Sequence, residues 1–224
     1  MPLTPVKTPR VVKQLFSNYV WGVPTTDKVI YLTFDDGPTP KITDWTLNIL
    51  KQYNAQATFF CIGNNVEKHP EIFNTILEHG HAIGNHTQNH VKGWQSKTEA
   101  YLKTISGCES IFKSEGSNSN TVNRKSLVTN LFRPPYGQIT PKQGKQLIQL
   151  GYKIIMWDVL SFDWNHAVTK EKCLENVVTK TTPGSIIVFH DSVKASRNMQ
   201  YTLPKVLAHF SKKGYTFKAL DTAI

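Results

Sequence analysis

The sequence predicts an α/β fold in which parallel strands alternate with crossover helices, as either a barrel or a doubly wound sheet. Three observations carry this. Short β-branched and aromatic runs such as Val29–Phe34 and Ala57–Ile62 recur, each closed by glycine or proline. Segments with apolar residues at helical spacing separate them. No fixed-period repeat and no Pro/Gly/Ser-rich linker divides the 224 residues, which points to one domain.

Taken in order, the first strand, Val29–Phe34, ends on Asp35, Asp36 and the turn Gly37-Pro38. The helix Thr43–Tyr53 turns Trp45, Leu47, Ile49 and Leu50 to one side, and Gly63 closes the buried strand Ala57–Ile62. Pro70–His79 is a helix stopped by Gly80, and residues 81–84 form a short strand. Thr98–Lys113 is an amphipathic helix with Leu102, Ile105 and Ile111 inward, followed by a polar loop, Gly116–Asn120. Further strands are expected at 130–133, 152–157 and 185–189, separated by helices near 140–150 and 168–180. A helix over 197–213 and a strand, Tyr215–Lys218, complete the pattern. Residues 1–28 read as an extension packing on a single domain formed by 29–224.

Composition narrows the function classes. A 39% hydrophobic and 11% aromatic content suffices for one sizeable core. The net charge of +10 raises nucleic acid as a partner. Yet Lys and Arg are scattered along helix faces without an aromatic-interleaved basic run, so a basic enzyme drawn to anionic surfaces is expected instead. Cys61, Cys108 and Cys173 form no CxxC pair, and their odd count argues against a disulfide framework. Lys13 and Gln14 interrupt Val11-Val12 and Leu15-Phe16, leaving no secretory apolar core, so a cytoplasmic location is expected. No run approaches the ~18 apolar residues of a membrane span.

The strand end at Asp35 and Asp36 carries the strongest chemical signal. Within a pleat their side chains would point to opposite faces, but beyond the strand both can turn toward one rim. Adjacent carboxylates are costly without a cation or strong donors. Gly84-Asn85-His86-Thr87-Gln88-Asn89-His90 supplies two imidazoles at i and i+4, which a helix would place on one face for a single ion. One Asp and two His leave open positions for water and substrate. The alternative is that His86 and His90 are polar surface residues without a common task.

In α/β folds of either kind, sites gather at the carboxyl ends of strands. Three more expected strand ends carry chemistry there: Arg133 before Pro134-Pro135-Tyr136-Gly137, Asp163-Trp164, and His190 after Ile186–Phe189. Singly, each has an ordinary reading as surface ion-pair partner, loop or helix-cap partner. Their shared rim favours a common task.

In this order the motifs resemble those of the polysaccharide deacetylases, carbohydrate esterase family 4, with the NodB-homology fold. The five motifs span residues 33 to 192. The resemblance implies a distorted (β/α) barrel with fewer than eight complete units. It implies metal-dependent removal of acetyl groups from N-acetylglucosamine in chitin-like or peptidoglycan-like glycans. Asp35 corresponds to the general base, and Asp36, His86 and His90 to the ligands of one divalent ion. Zinc is the expected ion, with cobalt, manganese or nickel as alternatives. Arg133 matches the arginine orienting the base, Asp163 the carboxylate orienting the acid, and His190 that acid. Tyr136 offers a backbone N–H to the oxyanion, while Trp164 and Val188 wall the acetyl pocket. Leu160 departs from the pattern, since many members carry an acidic residue there.

The implied partner is an acetylated glycan, with no nucleic acid and no membrane span, and a monomer is expected. Two alternatives stay open: an O-acetyl esterase on xylan-like glycans, and an inert metal-containing glycan-binding protein. A glycosidase using Asp35 and Asp36 is disfavoured, because neighbouring carboxylates cannot flank a glycosidic bond at the ~5 Å or more required. Among the remaining residues, His81 is expected in a strand near the site, and His69, His79, His166 and His209 toward solvent. Asp158 and Asp191 read as structural. Trp94 and Trp157 read as packing residues rather than sugar platforms, with Trp94 the better candidate of the two for a cleft wall.

Overall fold

The computed structural model describes residues 4–117 and 128–220. Its strands are β1 (Val29–Asp35), β2 (Ala57–Cys61), β3 (Ala82–Asn85), β4 (Val128–Phe132), β5 (Lys153–Ile154), β6 (Val159–Leu160), β7 (Ile186–His190) and β8 (Thr216–Phe217). All pair in parallel, in the order β5–β4–β3–β2–β1–β7–β6, with β8 beside β1. The path ends at β5 and β6, so the sheet is an incomplete barrel, as the resemblance implied. The helices are α1 (Arg10–Leu15), α2 (Ile42–Gln52), α3 (Gly63–Lys68), α4 (Pro70–Glu78), α5 (Thr98–Ser117), α6 (Pro141–Gln149), α7 (Lys170–Lys180) and α8 (Ser196–Lys212).

Strand alternation builds two cores around β1. Ile30, Leu32 and Phe34 belong to a cluster with Leu47 of α2, Ile76 of α4, and Leu203 and Val206 of α8. Phe34 stacks on Phe59 of β2 at 5.0 Å and on Phe189 of β7 at 6.0 Å. A second cluster, with Phe60, Leu131, Ile155 and Ile186, meets Tyr31 on the opposite face of β1. That face also carries Thr33 and Asp35, and there the site is built.

The segment before β1 ties both ends of the open sheet. Leu160 N–H donates to the Val6 carbonyl and Thr8 N–H to the Asp158 carbonyl, each at 2.9 Å. Val20 N–H donates to the Ile154 carbonyl at 2.8 Å, and Met156 N–H returns a bond to the Val20 carbonyl at 2.7 Å. These bonds occupy backbone groups that edge strands otherwise leave unpaired. Asp158 pins the arrangement: it is buried and meets Lys7 Nζ at 2.9 Å, Lys13 Nζ at 2.5 Å and Ser185 Oγ at 2.6 Å. Burial pushes its carboxyl up, but Lys13, Ser185 and Lys7 outweigh it and leave it below its ordinary value.

Several expectations need correction. His86 to His90 is not helical; it is an irregular loop after β3, with Thr87 at φ 66° and His90 at φ 54°. The strand expected over 152–157 shrinks to Lys153–Ile154, because the following backbone bonds to Val20 and to Arg133 instead. α1, α3 and β6 were not foreseen: α3 buries only Gly63 and Val66, and β6 has two residues, so neither shows a period. α5 continues past Lys113 to Ser117, which absorbs the start of the expected polar loop; residues 118–120 lie outside the described residues. His81 is buried at the amino end of β3, away from the site, where its Nδ1 accepts from Ala57 N–H at 3.2 Å. Only His166 among the four remaining histidines is exposed, while His69, His79 and His209 are half-buried.

Candidate active site

Asp35 ends β1, on the same inner face as Thr33. Arg133, just past β4, lies fully buried behind both. Its Nη1 donates to Asp35 Oδ1 and to Thr33 Oγ1, each at 2.7 Å. Nε donates to the Ile155 carbonyl at 3.2 Å and Nη2 to the Met156 carbonyl at 2.9 Å. The guanidinium also lies over Phe60, 4.2 Å from the ring centroid. Such a planar fork suits an arginine and no lysine. A surface ion pair is therefore the wrong reading of Arg133. Burial pushes the Asp35 carboxyl up, but Arg133, His86 and His190 outweigh it and hold the carboxyl below its ordinary value.

At Asp36 the chain leaves the pleat with φ 81°, a left-handed conformation uncommon outside glycine. Asn65 of α3 steadies this turn by donating to the Asp36 carbonyl at 2.7 Å. Next comes Gly37, where an added Cβ would fall 2.1 Å from Asp191 Oδ2. Asp191 is fully buried and accepts from Thr43 Oγ of α2 at 2.5 Å, which gives it the structural place expected. Burial raises its carboxyl to about 7.

The curled loop after β3 brings His86 and His90 to Asp36. Asn85 fixes the loop from below: its Oδ1 accepts from Thr87 N–H at 2.8 Å, and its Nδ2 donates to the Ile105 carbonyl of α5 at 2.8 Å. His86 is buried, with Nδ1 2.7 Å from the Arg133 carbonyl. A carbonyl only accepts, so Nδ1 carries the proton and Nε2 keeps its lone pair. Burial lowers His86 to about 4 and also lowers His90, so both imidazoles are neutral near pH 7. Asp36 Oδ1 lies 3.2 Å from His90 Nε2 and 3.8 Å from His86 Nε2.

This group fits a metal ion. Its three ligand atoms lie within 4.8 Å of one another. Tetrahedral ligands at ~2.0–2.1 Å from zinc are separated by about 3.3 Å, close to the spacings here. Asp36 Oδ1 is also buried without a hydrogen-bond partner, which is costly unless a cation compensates.

Opposite this group stands His190, at the end of β7. Its Nδ1 lies 2.8 Å from Asp163 Oδ1, and its backbone N–H donates to Asp163 Oδ2 at 2.8 Å. Burial would lower His190, but the charge of Asp163 dominates and lifts it to about 9. Phe162, at φ 64°, turns the chain so that Asp163 points inward and Trp164 packs on His190 at 4.8 Å. His190 is neither a helix-cap partner nor is Asp163-Trp164 an ordinary loop.

All of these groups face one cleft of about 460 Å³. Tyr136, Leu160, Trp164 and Val188 line it, and the Tyr136 ring also packs on His90 at 4.6 Å. Asp35, Asp36, His86, His90, Tyr136, Trp164, Val188 and His190 thus line this cleft, and Arg133 and Asp163 support it from beneath. Trp94 does not line it: it is 66% exposed and its Nε1 donates to the Ile139 carbonyl at 3.1 Å. Trp157 takes the wall position instead, 2.6 Å from where a Cβ on Gly137 would lie. Thr33, Asn65 and Asn85 were missed because their tasks depend on partners outside their own elements: Arg133 past β4, the Asp36 carbonyl, and the Thr87 N–H with the Ile105 carbonyl of α5. Thr4 and Lys194, both exposed at the cleft, lack any local sequence signal.

Comparison with known proteins places the chain among relatives. The family model described as polysaccharide deacetylase matches residues 22–155. A peptidoglycan-N-acetylglucosamine deacetylase of Bacillus cereus is 34% identical over 199 residues, covering 88% of each chain. The crystal structure of a peptidoglycan N-acetylglucosamine deacetylase in complex with 4-naphthalen-1-yl-N-oxidanyl-benzamide superimposes with a TM-score of 0.83. It is 31% identical and covers 95% of both chains. A carbohydrate esterase family 4 pseudoenzyme from Bacillus anthracis shares the fold at a TM-score of 0.76 and 20% identity, over 89% of this chain and 66% of its own. By sequence match, fold and the order of its motifs, the chain belongs to the polysaccharide deacetylase family.

Proposed function

We propose that this chain is a metal-dependent hydrolase that removes acetyl groups from N-acetylglucosamine units of a peptidoglycan-like or chitin-like glycan. One observation carries the reading. The Arg133–Asp35 ion pair and the Asp163–His190 pair face one cleft, with the Asp36, His86 and His90 group beside them. The names of the relatives support the substrate class.

Asp36, His86 and His90 would hold the ion, for which the mixed nitrogen and oxygen donor set suits zinc. A bound divalent ion lowers the pKa of water and polarises the acetyl carbonyl. Asp35 is the general base. Arg133 occupies its Oδ1, keeping the carboxylate ionised and directing its other oxygen to accept the proton of the attacking water. The backbone N–H of Tyr136 donates to the developing oxyanion, a contribution typically worth about 3 kcal/mol of barrier. His190 stays protonated through neutral pH because Asp163 holds it, and it gives its Nε2 proton to the departing amine. Trp164 and Val188, with Leu160, wall an apolar pocket for the acetyl methyl.

An ester is cleaved more easily by the same groups, so acetylxylan belongs in the test. An inert binder is disfavoured, since both proton-transfer groups keep their supporting partners. Acetate release is measured on chitotetraose, peptidoglycan fragments and acetylxylan. The expected result is release from the first two classes and a loss on the order of 10²–10⁴ in Asp35→Asn with metal content unchanged. An Asp35→Asn protein with undiminished activity, or exclusive action on acetylxylan, overturns the reading.

A further inference from the structure

Charge around the cleft is one-sided. Among its described lining residues, Asp35 and Asp36 are the sole carboxylates. Asp35 is neutralised by Arg133, and Asp36 faces the two imidazoles of the metal-ligand group. Leu160 supplies a buried apolar surface on the His190 side. Two lysines remain. Lys194 lines the cleft from the turn between β7 and α8, where it is exposed. Lys92 follows His90 and holds its Nζ 5.1 Å from the ring centroid of Tyr136, which itself lines the cleft and packs on His90. Neither makes an ion pair with a described carboxylate. By contrast, Lys7, Lys13, Lys113 and Lys172 all do.

The two lysines belong to opposite walls. Lys92 stands on the His90 and Tyr136 side, and Lys194 on the His190 and Trp164 side. A glycan chain whose target sugar lies at the metal-ligand group carries a neighbouring sugar on each side of it, and the two lysines are, among the described residues, the cationic groups beside that site without a carboxylate partner. We propose that Lys92 and Lys194 are specificity residues that pair with carboxylates on those flanking sugars, so that the chain selects an acidic glycan over a neutral one. The inference rests on the deacetylase reading and deepens it. A carboxylate can reach the lysines from an acid substituent on the sugar itself or from a peptide attached to it. Its chemistry at the ammonium group is the same in both cases. An aromatic ring under Lys92 keeps its stem extended without consuming its charge.

The test compares kcat/KM for three substrates of equal length. These are chitotetraose, an alternating N-acetylglucosamine tetrasaccharide with free lactyl carboxylates, and the same tetrasaccharide with those carboxylates amidated; a peptide-bearing form separates the two carboxylate sources. The expected result is a preference for the free acid that falls about two- to fivefold in Lys92→Met and again in Lys194→Met, as exposed ion pairs of this kind allow. The preference also shrinks between 20 and 300 mM salt (roughly 20 Å and 6 Å of screening length). Lys51→Met, on the exposed face of α2, removes the same charge and leaves the preference intact. Equal rates on acid and amide, or a preference untouched by both lysine substitutions, overturn this inference while leaving the deacetylase standing. Acetate release from none of the glycans overturns both.

Discussion

Replacing Arg133 with methionine tests the centre of the site most directly. Methionine fills similar length but removes all four donated hydrogen bonds, to Thr33, Asp35, Ile155 and Met156. Asp35 then stays buried without its cation, since Arg133 is fully buried and Asp35 only 5% exposed. Removing one partner of a buried ion pair typically costs about 3–5 kcal/mol. At about 2–4 °C per kcal/mol for a domain of this size, Tm falls by about 6–20 °C. The sign of the pH effect follows from the same contacts. In the parent protein the Asp35 carboxyl is held below its ordinary value, so its contribution is present above the unfolded pKa and lost as pH falls through the folded one. Without Arg133 burial dominates, and the folded protein binds that proton more tightly than the unfolded chain. The variant therefore regains relative stability on acidification toward pH 5, where the parent does not. Urea unfolding at pH 5 and 8, on chelator-treated protein, measures both terms. A loss under about 1 kcal/mol at pH 8, with no convergence at pH 5, refutes the argument that Arg133 exists to keep Asp35 ionised.

Three further outcomes are expected. Asp163→Asn removes the charge that lifts His190 to about 9, so the basic limb of kcat/KM shifts to lower pH and the rate at pH 8 falls on the order of 10²-fold; an unmoved basic limb speaks against His190 as the acid. His86→Ala, assayed by elemental analysis after purification without added metal, binds little or no divalent ion; metal content equal to the parent's rejects the ligand set. Asp158→Ala leaves Lys7 and Lys13 without their shared carboxylate, and hydrogen exchange in residues 6–23 then rises well before that of β1, with a stability loss of about 1–3 kcal/mol. Uniform exchange across both segments contradicts that role.

Much of this architecture was legible because its signals are local. Val29–Phe34 announces a buried strand by composition alone, and Asp35, Arg133 and His190 each stand at or just beyond an expected strand end, whereas Asp163 follows the two-residue β6 that shows no period. What stayed hidden depends on partners far along the chain. The spacing of His86 and His90 suggested a helix, yet the two rings meet Asp36 through left-handed residues held by the side chain of Asn85. Nothing within the loop's own sequence distinguishes those cases, since i and i+4 converge in both. Trp157 reaches the cleft wall across Gly137, which has no side chain to block it, whereas Trp94 lies exposed and bonds to the Ile139 carbonyl, and neither contact shows in the local sequence. Asp158, beside Trp157, found its partners in Lys7 and Lys13, more than a hundred residues earlier.

The strap that spans β5 and β6 has a practical corollary. Thr4, near its start, is itself part of the wall around the reaction centre. A peptide joined directly ahead of Thr4 therefore starts at the rim of this cleft. Fusion partners placed there would compete with substrate for space, whereas Leu220, the last described residue, is buried and donates its N–H to Thr58 Oγ1 of β2, at the end of that strand away from the site.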